Sequence, residues 1–143
     1  MLTSKTKYAL RAMIDLARAA ATRPGQPVVI GDIAERQSIP PRFLEAILLE
    51  LRGNALVTSQ RGKAGGYQLA KPASAISFAD VIRAIEGPLA PTPCTSLTAY
   101  KRCADCLDEG ECALRKTLQK VRDASAAILE KATLASALRG AMR

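Results

Sequence analysis

"IGDIAERQSIPPRFLEAILLELRGNALVTSQRGKAGGYQLAKP", residues 30–72, decides how this chain folds. Its opening segment, "GDIAERQ", is too brief for more than two helical turns, and "SIPP" ends it. Pro41 suits the first position of a second helix, where its missing N–H costs nothing and its φ is already helical. From Pro41 to Arg52, Leu44, Ile47, Leu48 and Leu51 fall at i, i+3, i+4 and i+7, the apolar stripe of an amphipathic helix. Arg42, Glu45, Ala46, Leu49 and Arg52 lie off its centre line. Gly53-Asn54 can take the left-handed conformation that closes a helix. A short helix, a turn and a second amphipathic helix form the helix-turn-helix pattern, which by itself is common in all-α cores.

The next residues sharpen that pattern. "LVTSQ" (56–60) and "GYQLA" (66–70) are strand-like and flank "RGKAG" (61–65), a glycine-rich tip bearing Arg61 and Lys63. This predicts a β-hairpin with a basic, flexible tip directly after a helix-turn-helix, the arrangement called a wing. Its glycines allow φ above zero and let backbone come close to a phosphate or a groove.

Upstream, Leu10, Met13, Ile14 and Ala17 give an amphipathic helix from Thr3 to about Ala21, and "TRPGQP" breaks it. "VVI" (28–30) is a short β-branched stretch. Downstream, Ser77 and Asp80 make a capping box ahead of a helix with Val81, Ile82 and Ile85 on its apolar face, and "GPLAPTP" stops it. From Glu111 to about Leu138 there is no proline or glycine. Leu114, Leu118, Val121, Ser125, Ile128, Ala132 and Ala135 repeat every four then three residues, a heptad-like seam of about three heptads. Part of that seam can dock on its own domain; its length favours a homodimer contact.

The fold class expected is mainly α with a small β-hairpin: a winged helix-turn-helix followed by a long C-terminal dimerisation helix. Residues 1–87 would form the DNA-binding domain, 88–112 a cysteine-rich sensor loop, and 111–143 the dimerisation helix and tail. At 143 residues the chain can bury a genuine core without disulfide staples. It has no Trp and only 3% aromatic residues, so the core must be Leu, Ile, Val and Ala, which favours helices. No apolar run is long enough to cross a membrane, and "MLTSKTKYAL" lacks the apolar region of a signal peptide. A cytoplasmic location is expected, where clustered thiols more often bind metal than form disulfides.

Net charge is +8, and residues 1–72 carry 11 basic against 5 acidic side chains while 73–143 carry 10 against 8. A field of that sign, concentrated on the helix-turn-helix half, attracts polyanions, with nucleic acid first among them.

All four cysteines stand in residues 94–112 as Cys94, Cys103, Cys106 and Cys112, in the pattern C-x8-C-x2-C-x5-C. Two thiolates separated by two residues can reach one metal centre, and Cys94 and Cys112 bracket them. Cys112 lies at the start of the long helix, where free N–H groups stabilise a thiolate. Four thiolates suit tetrahedral zinc or an iron–sulfur cluster of the 2Fe-2S or 4Fe-4S kind. Zinc ligands usually come as two close pairs and only Cys103 and Cys106 form one, so the spacing leans towards iron–sulfur. A thiol redox switch at Cys103 and Cys106 is the third reading. The chain has no His, which excludes His-ligated clusters and His-dependent catalysis. With no glycine-rich phosphate loop, serine nucleophile motif or paired-carboxylate site, an enzyme is not expected.

"LTSKTKYALRAMIDLA", the run from Ile30 to Gly87, the cysteine loop and the terminal helix together resemble the Rrf2 family of bacterial transcription regulators. "RGKAGGYQLAKP" and "FLEAILLELR" are the specific parts of the likeness. The resemblance implies a winged helix-turn-helix homodimer, a repressor, on a partly palindromic double-stranded operator. The helix from Pro41 would lie in the major groove and the wing would reach the minor groove. DNA contacts would come from Pro41, Arg42, Glu45, Arg61, Gly62, Lys63 and Gly65. Arg and Lys can hold phosphates or guanine edges, and Glu45 can accept from cytosine N4. Members sense iron, oxygen, nitric oxide or redox state, and some are regulated by a protein partner, a metabolic enzyme. Cluster-binding members carry three cysteines with a five-residue final gap, which Cys94, Cys106 and Cys112 match. They complete the set with a His or an N-terminal Asp. Lys7 stands at the position of that Asp, and Cys103 is the candidate to fill the gap.

Overall fold

A computed structural model describes residues 2–141; Met1 and residues 142–143, at the outer ends of the expected segments, lie outside the described residues. The elements are α1 (Ser4–Thr22), α2 (Ile30–Gln37), α3 (Pro41–Gly53), β1 (Val57–Gln60), β2 (Gly66–Leu69), α4 (Phe78–Glu86), α5 (Ala113–Lys131) and α6 (Leu134–Ala141), with single 3-10 turns at Ala73–Ala75 and Pro93–Thr95.

The predicted stripe of α3 is the centre of the core. Leu44, Ile47, Leu48 and Leu51 are all fully buried, each contributing about 1.5–3 kcal/mol of apolar burial. Their burial leaves Pro41, Arg42 and Glu45 exposed on the opposite side. β1 and β2 pair antiparallel from Val57↔Leu69 to Gln60↔Gly66. "VVI" supplies a one-residue third strand: the Val28 amide donates to the Tyr67 carbonyl at 2.7 Å and the Val28 carbonyl accepts from the Tyr67 amide at 2.8 Å.

Three local expectations change. The buried face of α1 centres on Ala9, Ala12, Met13, Leu16 and Ala17, while Leu10 and Ile14 sit half-exposed at its edge. Small residues at Ala9 and Ala12 let neighbouring helices approach, so the largest side chains do not mark the centre of the face. At the end of α3, Gly53 stays helical and Asn54 has φ −99°; Ala55, at φ 59°, is the left-handed residue. The Ala55 amide donates to the Arg52 carbonyl and the Leu56 amide to the Leu51 carbonyl, the paired bonds of a Schellman motif.

The C-terminal helix is also divided. α5 ends at Lys131, and a new cap begins at Thr133: the Thr133 hydroxyl accepts from the Ser136 amide at 3.0 Å and the Ser136 hydroxyl accepts from the Thr133 amide at 2.9 Å. The Phe78 amide donates to the Ala132 carbonyl at 2.7 Å, and the Leu134 amide to the Ile76 carbonyl at 3.0 Å. Leu134 is thereby fully buried in the main core, and α6 packs on α1. The expected seam therefore ends with Ile128; Ala132 lies at the break and Ala135 on the other helix.

Side-chain bonds fix the helices around α3. Asp15, buried on α1, accepts from Arg36 Nε at 3.0 Å, Arg36 Nη2 at 2.9 Å and Gln37 Nε2 at 3.0 Å. Burial pushes its carboxyl up, but the bonds from Arg36 and Gln37 and the Arg36 charge outweigh this and hold it below its ordinary value. Asp15→Asn is expected to lower stability by about 2 kcal/mol. Urea unfolding checks this as a lower midpoint at unchanged slope.

Glu86, the last residue of α4, accepts through Oε1 from the Thr3 amide at 3.0 Å and the Thr3 hydroxyl at 2.7 Å, and from the Thr6 hydroxyl. The bonds from Thr6 and Thr3 hold its carboxyl down at about 2, against an ordinary 4.5. A depressed carboxyl contributes its stability above the unfolded value and loses it as pH falls through the folded one. Glu86 is exposed, so the effect is small. Glu86→Gln should therefore be less stable than the parent from pH 7 down to about 4.5, with the difference closing between 4.5 and about 2. Paired denaturation curves across that range test it; a constant gap would contradict it.

Candidate functional site

Two regions carry unspent chemistry. The first is the surface formed by the start of α3 and the tip of the hairpin. No side chain caps α3, so the amides of its first turn stay open to an anion. Arg42 and Glu45 stand exposed beside them. Arg61, Gly62 and Lys63 are exposed at the hairpin tip and Gly65 is half-buried at its base. Gly62 has φ +102°, and the Gly65 amide donates back to its carbonyl at 3.0 Å. A side chain at Gly65 would meet the Gln60 carbonyl oxygen at 2.4 Å, so only glycine permits this tight turn. Arg42, Glu45, Arg61 and Lys63 enter no ion pair among the described residues.

Several residues that hold this surface gave no sequence signal. Lys5 of α1 pairs with Glu50 of α3, Arg11 of α1 donates to the Gln37 carbonyl, and Arg52 donates to Ser59 of β1 at 3.0 Å. The Tyr8 and Phe43 rings meet edge to face at 5.7 Å between centroids. Lys7 is exposed with its ammonium 5.7 Å from the Tyr8 ring.

The second region is a cavity of about 450 Å³ between loop 92–112 and the first turns of α5, lined by all four cysteines together with Arg115 and Leu118. Cys94 is buried in the 3-10 turn; Cys103, Cys106 and Cys112 are half-buried, and all four are free thiols. The Thr92 hydroxyl lies 3.3 Å from Cys94 Sγ. That bond, then the Cys103 thiol and the Arg115 guanidinium, hold the Cys94 thiol below its ordinary value against its desolvation. The neighbouring Cys94 side chain and burial push the Cys103 thiol up from its ordinary value. Cys106 faces Arg102, whose guanidinium is raised by that contact. Cys112 is the N-cap of α5, its Sγ accepting from the Arg115 amide at 3.4 Å.

No group of three Cys, Asp or Glu side chains among the described residues is arranged to hold a metal ion. Cys94 Sγ is engaged by the Thr92 hydroxyl and Cys112 Sγ by the Arg115 amide. The donor set still fits a thiolate-ligated centre: four soft sulfur ligands share one cavity, with a cationic side chain against it. Loop 96–112 lies outside the central core and Leu107 is 98% exposed, so little apolar packing opposes its rearrangement.

Arg115 was not singled out by sequence, although it lies one helical turn beyond Cys112. Its Nη2 donates to the Cys94 carbonyl at 3.3 Å and lies 3.8 Å from Glu109 Oε2. The other Glu109 oxygen accepts from the Tyr100 hydroxyl. Arg115 Nε is buried with no hydrogen-bond partner among the described residues. A buried donor left so costs about 1–3 kcal/mol.

The model of the Rrf2 family, described as an iron-dependent transcriptional regulator, matches residues 2–140. An rrf2-like HTH-type transcriptional regulator of Rhodobacter capsulatus is 43% identical over 134 residues, 94% of this chain and 89% of that one. Two solved structures share the fold: CymR, the global cysteine regulator of B. subtilis, at TM-score 0.76 and 30% identity over 95% of this chain and 94% of its own, and IscR of T. potens at TM-score 0.77 and 29% identity over 99% and 88%. With an uncapped helix and a basic hairpin tip on one side and a cysteine cavity on the other, this chain belongs to the Rrf2 family of DNA-binding transcription regulators.

Proposed function

We propose that this regulator acts as a homodimeric repressor that senses iron, redox state or nitric oxide through an iron–sulfur cluster held by Cys94, Cys103, Cys106 and Cys112. The observation that carries this is the convergence of all four thiols on one cavity at the N-terminus of a helix whose other end is fixed in the core. In this proposal 1–87 reads DNA, 88–112 senses and 111–143 dimerises, while α6 packs on α1 with Leu134 in the core.

Pro41, Arg42 and Glu45 would enter the major groove while Arg61, Gly62, Lys63 and Gly65 follow the minor groove and its phosphates. The dimer contact is assigned to α5. It has no fully buried residue, and Leu114 (74% exposed), Val121 (38%) and Ile128 (68%) recur every seven residues on one face. A second copy of the same stripe is the occupant that such a repeat fits.

When bound, a cluster supplies a one-electron couple and a target for oxygen or nitric oxide. Cys94, Cys103, Cys106 and Cys112 would hold the cluster, and through Cys112, the N-cap of α5, a change in residues 94–112 would reach the dimer helix and the match of the two α3 helices to the operator half-sites. A second reading keeps the same fold with zinc on the thiolates, or with a direct thiol–disulfide switch at Cys103 and Cys106. Control by a protein partner is the third.

Anaerobic purification, a visible spectrum, and iron, acid-labile sulfide and zinc measured on one sample test the proposal. Matched iron and sulfide support it; a colourless protein holding zinc, or no metal after reconstitution, would replace it with the second reading. Cys112→Ser should leave the metal-free protein within about 0.5 kcal/mol of the parent, because serine caps a helix at least as well, yet should abolish cluster retention. Alanine at Arg61 or at Lys63 is expected to weaken DNA binding across sequences and reduce the slope of log affinity against log salt by about 1 each. Fluorescence anisotropy titrations between low and moderate salt give that slope directly.

A further inference from the structure

We infer that Arg115 is a positioning residue for an anionic, sulfur-ligated group in the cysteine cavity, and that its Nε–H is a hydrogen-bond donor reserved for the sulfur of that group. The inference rests on the cluster reading above and adds a residue to it.

The geometry is specific. One end of the guanidinium is held by the Cys94 carbonyl and Glu109, and the backbone amide of the same residue caps onto Cys112 Sγ. Arg115 therefore touches the first and last cysteines of the set that lines the cavity. Its Nε is nevertheless the buried nitrogen left without an acceptor. In the metal-free chain the nearby sulfurs are thiols, which accept hydrogen bonds weakly. A metal-bound thiolate or a bridging sulfide is a charged acceptor and would satisfy it. Four thiolates around a cluster carry net negative charge, which a buried guanidinium offsets. Hydrogen bonds to cluster sulfurs stabilise the more negative, reduced form and so raise the reduction potential.

This assigns Arg115 opposite effects in the two states, which a purely structural arginine would not show. Arg115→Gln removes the charge and Arg115→Lys keeps it while removing the Nε donor. Each would be made in the full chain, with thermal unfolding of the metal-free protein, iron and sulfide content after anaerobic reconstitution, and a dithionite titration of the visible spectrum. The expected result is metal-free variants at least as stable as the parent, with a cluster that is lost faster or is about tenfold harder to reduce at a given potential, a fall of 59 mV for one electron. Variants with the parent's cluster retention and potential would overturn the inference and leave the cluster reading standing. So would metal-free variants destabilised as much as the loaded ones. A parent protein that takes up neither iron nor sulfide would remove the cluster reading itself, and this inference with it, before any variant is compared.

Discussion

Leu134 enters the core because two backbone bonds steer it there, one from its own amide to Ile76 and one from Phe78 to Ala132. Through them the 19-residue helix α5, about 28 Å long, is fixed at its C-terminal end to the packing that also positions α3. Its N-terminal end is Cys112 and the cysteine cavity. Without the break at Ala132 the helix would run on past the domain, and movement at the cysteines would have no fixed point to act against. With it, the same element joins the thiols at one end to the core of the helix-turn-helix at the other.

Polar groups divide by role along this frame. Those that hold helices together are fully used: Asp15 accepts three bonds from α2, and Glu86 closes α4 onto the start of α1. Those on the two outward regions are left open. The first amides of α3 have no side-chain cap, the wing's basic residues have no ion pair among the described residues, and Arg115 Nε has no acceptor. A folded chain places unsatisfied groups where a partner is to supply the rest, and breaks local rules at sites of function.

Much of this was legible in the residues. The α3 stripe was, because burial of Leu44, Ile47, Leu48 and Leu51 is set by helical period alone. So were the hairpin, whose strands flank a glycine tip, and the Ser77–Asp80 box, in which both reciprocal bonds form. The division of α5 from α6 was not, since Ala132, Thr133 and Leu134 include no breaker and the cap uses Ser136 where Glu is usual. Its cause is tertiary, the pairing with residues 76–78. Ala55 in the left-handed region was hidden for the same reason: its neighbours Gly53 and Asn54 have the lower cost there, and the Schellman bonds choose otherwise. The four cysteines announced a site, but their contacts were not legible, because Arg115 reaches the Cys94 carbonyl from 21 residues away and carries no motif.

None of residues 86–133 belongs to the central apolar core; it closes with Ile85 and resumes at Leu134. This segment is therefore a loop and strut hung between two anchors, and its length is nearly uncoupled from the packing of the core. A change of length or of thiol pattern between these anchors would leave the packing of α1 to α4 in place, and Cys103 lies where that packing sets no limit on the residue chosen.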